Sequence, residues 1–202
     1  MSPRPDPRRL IRRLYRQEHG YDVSDADEAR VSATRASSTY GELLPAATNK
    51  LATHLALGKR DTFYDLGSGL GKVVLQLAVS RPMAGCFGIE LVRSRHRVAV
   101  GMLRRVQQLG LVRTRACGFR CSDFMRARIG DATVVYSCST AFSTAFMNEL
   151  AARLATLDHG LRWVTTQDVD DNPWFRLESI FRLDMSWRRR SKVHVYRLHQ
   201  PR

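Results

Sequence analysis

The run "FYDLGSGLGKVVLQLA", Phe63 to Ala78, constrains this chain more than any other stretch. Apolar and aromatic residues lead to an aspartate, Gly67, Gly69 and Gly71 follow within five residues, and a helical apolar pattern comes next. A buried strand, a glycine turn and a helix N-terminus in that order bring bare backbone to the carboxyl end of a parallel strand, where a ligand can approach it. The spacing is G-x-G-x-G, not the G-x-G-x-x-G of dinucleotide sites. Lys72 precedes Val73, so no Walker-type G-K-S/T follows either.

Strand and helix patterns alternate through most of the remainder. "TFYDL" (62–66), "GCFGIE" (85–90), "RACGFRCSD" (115–123), "DATVVYS" (131–137) and "LRWVTT" (161–166) read as strands. "GKVVLQLAVS", "RHRVAVGMLRRVQQLG" (ended by Gly110) and "TAFMNELAARLATL" read as the helices between them. This alternation predicts a doubly wound α/β fold whose parallel sheet is covered on both faces. "LESIFRLDMSW" and "KVHVYRLH" flank an arginine turn with no helix between, which predicts an antiparallel hairpin at one sheet edge. The 202 residues suit one domain. A basic arm and lead-in over 1–38 precede the periodic unit over 39–202.

Acids stand at successive strand ends. Asp65 precedes the glycine turn, Glu90 ends the second strand, and Asp123 with Phe124 follows the third. A carboxylate in the Glu90 position accepts both hydroxyls of a ribose. Asp65 can take an ammonium group or a water, Asp123 an adenine amino group, and Phe124 can flank the ring. Ribose, adenine and ammonium together point to S-adenosyl-L-methionine as cofactor.

Charge bounds the partners. The net charge is +14, and only four of the 33 basic residues are lysines (Lys50, Lys59, Lys72, Lys192). Guanidinium forks bind phosphate bidentately, so the surface is expected to be drawn to a polyanion, DNA or RNA above all. Arg4, Arg8, Arg9, Arg12, Arg13 and Arg16 crowd the start beside Pro3, Pro5 and Pro7, which predicts a partly disordered basic arm leading into a short amphipathic segment. "WRRRSK", with Arg188, Arg189 and Arg190, forms a second cluster. No run has the length of a membrane span and no signal-peptide core stands near the start, so a soluble, non-secreted chain with no membrane partner is expected. Cys86, Cys117, Cys121 and Cys138 contain no CxxC pair and no zinc pattern; they read as reduced, with no metal site.

"YGEL" (40–43), the glycine-turn run, "GIE" (88–90), "SDF" (122–124) and "MSW" (185–187) together resemble the ordered motifs of the non-SET histone lysine methyltransferases, the disruptor-of-telomeric-silencing family. The resemblance covers about Thr39 to the C-terminus. It implies a seven-strand class I methyltransferase sheet and methyl transfer to a lysine of the nucleosome core, in chromatin of a nucleus or nucleoid, otherwise in the cytoplasm. It places Tyr40 and Glu42 on a loop over the methionine end of the cofactor, with Asp65, Gly67 and Gly69 beside it. Gln76 lies in the first helix, Glu90 on the ribose, and Asp123 with Phe124 at the adenine. Trp187 and Tyr196 line a lysine channel. The chain departs from the family at "CSTAF" (138–142), where members carry an asparagine pair before "FAF"; Ala141 and Phe142 remain. An asparagine there helps orient the amine, so Ser139 is the residue expected to stand in for it.

The chemistry agrees with such a channel. A lysine nucleophile must first lose a proton, which from a reference pKa of about 10.4 costs on the order of 4 to 5 kcal/mol at pH 7. Apolar aromatic walls lower that pKa by desolvation. Tyr40, Ser139, Phe142, Trp187 and Tyr196 are the candidate catalytic residues. Gln76, polar inside an apolar helix, reads as a structural hydrogen-bonder rather than a reactive group, and His194 and His199 read as structural. Two other readings stay open. One is a nucleic-acid methyltransferase, although "CSTAF" lacks the D/N-P-P-Y/F of amino-methylating enzymes. The other is a non-catalytic, cofactor-binding chromatin or RNA module.

Overall fold

The strand before the glycine turn lies at the centre of the molecule, and all five of its residues are buried. A computed structural model describes residues 4–34, 39–157, 160–169 and 172–199. In chain order the elements are α1 Pro7–Leu14, α2 Asp25–Ser32, α3 Pro45–His54, β1 Thr62–Leu66, α4 Lys72–Ser80, β2 Gly85–Glu90, α5 Arg93–Gln108, β3 Ala116–Cys121, β4 Val134–Ser137, α6 Thr144–Leu154, β5 Arg162–Thr165, β6 Phe175–Leu183 and β7 Ser191–Leu198. Seven strands form one sheet in the order β3-β2-β1-β4-β5-β7-β6. β3 through β5 run parallel, and β7 pairs antiparallel with both β5 and β6. The chain winds outward from β1 through β2 to β3, then returns to place β4 on the other side of β1. That reversal makes the carboxyl ends of β1 and β4 the topological switch point, where open α/β sheets hold their ligands.

One face is thick. α4 buries seven consecutive residues, Val73 to Val79, because it lies between the sheet and α1, α3 and α5. Gln76 is the polar member of that run; its Nε2 donates to Pro45 O at 2.6 Å and Asn49 Oδ1 at 2.8 Å, tying α4 to α3. On the opposite face α6 packs Phe146, Met147, Leu150 and Leu154 into a cluster with Val135 and Trp163.

Two expectations change, and one takes shape. The short amphipathic segment expected after the basic arm is α1: Asp6 caps it by accepting from Arg8 N at 2.8 Å, Pro7 presets the first turn, and Ile11 and Leu14 pack into the cluster that includes Leu75 and Val106. Its arginines 8, 9, 12, 13 and 16 remain exposed, so the segment is a docked basic helix. The polar lead-in holds a second helix, α2, whose buried Asp27 reaches across to accept from Arg93 N (2.9 Å) and Ser94 N (3.1 Å) at the α5 N-terminus. Pro3, and residues 35–38 at the expected domain boundary, lie outside the described residues. Finally, coverage on both faces fails at one end: among the described residues no helix lies over β2 and β3 on the α6 side, because 122–133 connects β3 to β4 by turns alone.

Burial works to raise the Asp27 pKa, but hydrogen bonds from the Arg93 and Ser94 amides outweigh it and hold the carboxyl below its ordinary 3.8. A depressed acid contributes stability that is present above the unfolded pKa and lost as pH falls through the folded one. Asp27→Ala is therefore expected to cost roughly 1 to 2 kcal/mol at pH 7, read from the urea midpoint, and much less in strong acid.

Candidate active site

The glycine turn has the conformation its composition requires. Gly67, Gly69 and Gly71 take φ of 79°, 53° and 80°, values that side-chain-bearing residues rarely adopt. Gly67 N and Ser68 N donate to Ile89 O, folding the turn back over the end of β2. There Glu90 is buried; its Oε2 accepts from Gly69 N at 2.7 Å and its Oε1 from Val92 N at 2.8 Å. Burial raises the Glu90 pKa, against the Val92 amide and Arg95, which lower it.

Asp65 is 3% exposed, and among the described residues no hydrogen bond or ion pair to its carboxylate offsets that burial. Burial, followed by the charge of Glu90, pushes its pKa up to about 8. It faces a cavity of about 30 Å³, room for one water, that is also bordered by Gly67, Ser68, Gly69, Tyr136 and Cys138. The Ser68 hydroxyl is buried there without a hydrogen-bond partner, and the buried Tyr136 hydroxyl has only the Cys138 thiol beside it. A buried carboxylate and poorly satisfied hydroxyls around one small space suit a polar ligand.

The loop over this cavity is held from two sides. Leu43 bridges Met185, Ser186 N donates to Glu42 O at 2.8 Å, and Leu44 N donates to Asp184 O at 3.1 Å. This pairing brings the turn after β6 beside Tyr40, so Trp187 packs on the backbone of Gly41, where a Cβ would clash with the indole. Glu42 accepts from the Tyr40 hydroxyl and pairs with Lys72 Nζ at 2.5 Å. The Tyr40 ring lies on Gly69, where a Cβ would come within 2.6 Å of it, and the Arg95 guanidinium stacks 4.8 Å from its centroid. Beyond Tyr40 a second cavity of about 190 Å³ is walled by Gly41, Cys138, Thr140, Ala141 and Trp187, and Trp187 is 44% exposed at its mouth.

The structure thus brings Tyr40, Glu42, Asp65, Gly67, Gly69, Glu90 and Trp187 together and leaves others out. Ser139 is fully buried and satisfied: its Oγ lies 2.6 Å from Thr165 Oγ1 and accepts from Gln167 N at 3.1 Å. Tyr196 is also buried, bonded to Asp168 and Val169 N on the α6 face, and lines neither cavity. Phe142 packs with Phe124 and Phe146 on that face. Asp123 caps its own turn by accepting from Met125 N at 2.8 Å, and Gln76 works inside the helix layer. Sequence reasoning missed Lys72, Ser68, Tyr136 and Cys138. Strand parity carries the signal for two of them: Tyr136 pairs with Asp65 in register, so Tyr136 and Cys138 share its side and Ser139 takes the other. No cluster of potential metal ligands occurs among the described residues.

The family described as histone methylation protein DOT1 matches residues 22–180. This chain belongs to that family. A Drosophila melanogaster relative, a histone-lysine N-methyltransferase specific for H3 lysine 79, is 32% identical over 165 residues, which cover 78% of this chain and 9% of the relative. A Caenorhabditis elegans protein of the same name is 29% identical over 145 residues, 67% of this chain and 15% of its own length. The chain therefore spans under a sixth of either relative. Among solved structures, an RNA methyltransferase of Salinibacter ruber in complex with S-adenosyl-L-homocysteine superposes with a TM-score of 0.61 at 22% identity, covering 78% of this chain and 93% of that one. Magnesium protoporphyrin IX methyltransferase from Synechocystis, with S-adenosyl-L-methionine bound, gives 0.56 at 11% identity over 98% and 100%. At these identities the DOT1-family chain shares their class I fold, and nothing finer follows.

Proposed function

We propose that this DOT1-family chain is an S-adenosyl-L-methionine-dependent protein-lysine methyltransferase acting in chromatin on a histone or another basic protein associated with nucleic acid. The observation that carries the reading is the unpartnered, buried Asp65 carboxylate facing the cavity over the glycine turn. A ligand ammonium is the counterion that it lacks, and the Glu90 carboxylate at the end of β2 suits ribose hydroxyls. Asp123 and Phe124, at the end of β3, are assigned to the adenine on the family resemblance. The Tyr40 ring on Gly69 has to give way to admit a nucleoside. Bound there, the cofactor supplies an electrophilic methyl on a positively charged sulfur.

The chain's own residues do the rest by positioning. Cys138, Ala141 and Trp187 border the outer cavity and give an acceptor side chain a weakly polar surrounding, which lowers a lysine pKa by desolvation. Burial, then the nearby Asp65 charge, raises the Cys138 thiol to about 11, so it remains neutral there. The acceptor proton leaves by the open mouth beside Trp187. Glu42 holds the loop through Lys72 and Tyr40, an anchoring role.

Glu90→Ala is expected to weaken cofactor binding by roughly 1.5 to 3 kcal/mol for each charged hydrogen bond removed. Calorimetry giving an unchanged affinity would remove the cofactor assignment. Labelled methyl transfer to nucleosomes, free basic proteins and RNA tests the acceptor class, and label on RNA alone would replace the lysine reading.

The docked α1 arginines and the exposed Arg188–Arg190 turn are proposed to hold nucleic acid beside the acceptor. Replacing Arg188, Arg189 and Arg190 with alanine is expected to flatten the salt dependence of duplex binding by about 0.9 in log-log slope for each phosphate that is no longer neutralised. An unchanged slope would reduce the cluster to a solvated turn.

A further inference from the structure

The uncovered end of the sheet has a composition of its own. Along β3 the side chains alternate: Cys117 and Phe119 pack into the α5 layer, which leaves Ala116, Gly118 and Arg120 on the α6 side. Beside them β2 presents Phe87, half-buried, with the Tyr64 ring 5.1 Å away and tilted by 32°. The result is a shelf of about 280 Å³ bordered by Tyr64, Phe87, Gly118 and Arg120, on a different face from the Asp65 cavities. A Cβ at Gly118 would sit 3.7 Å from the Phe87 ring, so the missing side chain is what leaves that ring face open.

The rim is cationic. Arg120, Arg126 and Arg128 are all exposed, and Arg120 Nη1 donates to Arg128 O at 3.1 Å, which holds the two chain segments together. The acids nearby are engaged: Asp123 accepts from Met125 N and stands 4.0 Å from Arg126 Nε, and Asp131 accepts from the Tyr64 hydroxyl at 2.8 Å.

We propose that this shelf binds single-stranded nucleic acid, with one base stacked on Phe87 and the flanking phosphates on Arg120 and Arg128. Every base has a π face, so an open aromatic ring takes a base of any sequence, and guanidinium forks match phosphate oxygens. A duplex keeps its bases stacked inside and cannot use the ring. A basic polypeptide is repelled by the rim. The shelf is independent of the methyltransferase reading, since it uses no residue of the Asp65 or Trp187 cavities.

The test uses the full chain with fluorescent oligouridine and oligodeoxythymidine of about 12 nucleotides, within the usual site size of one such module. A duplex of the same length, whose bases are stacked away from the ring, and heparin, which has none, serve as controls. Gly118 has no left-handed backbone and lies in a strand, so Gly118→Val fills the shelf without removing charge. Phe87→Leu keeps apolar bulk but removes the π face. Each is expected to weaken single-strand binding about tenfold at unchanged salt slope, with duplex and heparin binding unaffected. Arg120→Ala is expected to lower the single-strand slope by about 0.7. A preference for the RNA or the DNA strand identifies the source, and loss on either supports the shelf. Thermal midpoints of both shelf variants report folding, and Gly118→Val alone decides the matter if Phe87→Leu is unstable. Wild-type single-strand affinity in Gly118→Val overturns the proposal. So does an equal loss on heparin, which would leave only diffuse charge. A chain dimer that Gly118→Val dissolves, with single-strand binding intact, would make the face a self-association surface instead.

Discussion

Asp65→Asn is expected to stabilise the free protein above neutral pH while abolishing cofactor binding. The sign follows from the raised pKa. Between about pH 4 and 8 the folded chain keeps a proton on Asp65 that the unfolded chain has lost, so stability falls as pH rises across that window. The gap between the ordinary 3.8 and about 8 corresponds to a penalty on the order of 5 kcal/mol once the group is forced to ionise. Asparagine removes the charge and with it that slope, although its buried amide recovers less than the full amount. Urea unfolding at pH 6 and pH 9 reads the effect: the wild type loses stability over the interval and the variant holds most of it. A bound ammonium would reverse the preference in the wild type. Cofactor binding at pH 7 is therefore expected to release about one proton, seen as a calorimetric enthalpy that changes with the ionisation heat of the buffer. Equal pH slopes in the two proteins would mean that Asp65 finds a compensating partner.

The legibility of this site divides along physical lines. The strand, glycine turn and α4 were readable because three positive-φ positions and a run of apolar residues leave few alternatives, and Asp65 and Glu90 followed from their places at strand ends. The hairpin was readable from two strand patterns with an arginine turn between. Helices α2 and α3 were not, since their stability comes from caps and docking: Asp27 on the α5 N-terminus, and Asn49 on Gln76. Tyr196 failed through parity. On β7, Val193 and Val195 face the helix layer that carries the cleft, which turns Tyr196 toward Trp163 on the far side. The family motif supplied Trp187 but not its reason, the pairing of 42–44 with 184–186, which no local pattern announces.

The same parity decides where the family's asparagine function can be sought. Ser139→Asn is expected to destabilise the fold rather than to restore activity. The serine is fully buried, its Oγ is shared with Thr165 and the Gln167 amide, and a longer amide must break those bonds or push β5 aside. Broken buried hydrogen bonds and overpacking each contribute about 1 to 3 kcal/mol, so a total of roughly 2 to 5 kcal/mol is expected from urea unfolding. Cys138 lies on the other side of the strand and borders both cavities. Cys138→Asn conserves volume but adds a buried amide, so it is expected to cost about 1 to 3 kcal/mol unless the Tyr136 hydroxyl beside it pairs with that amide. It places an amide where an acceptor amine would lie, and transfer of labelled methyl to a lysine substrate is expected to rise by more than about tenfold, the equivalent of one oriented hydrogen bond. A stable Ser139→Asn protein with altered acceptor turnover would return the orienting role to Ser139, and the outer cavity would lose its place in the reaction.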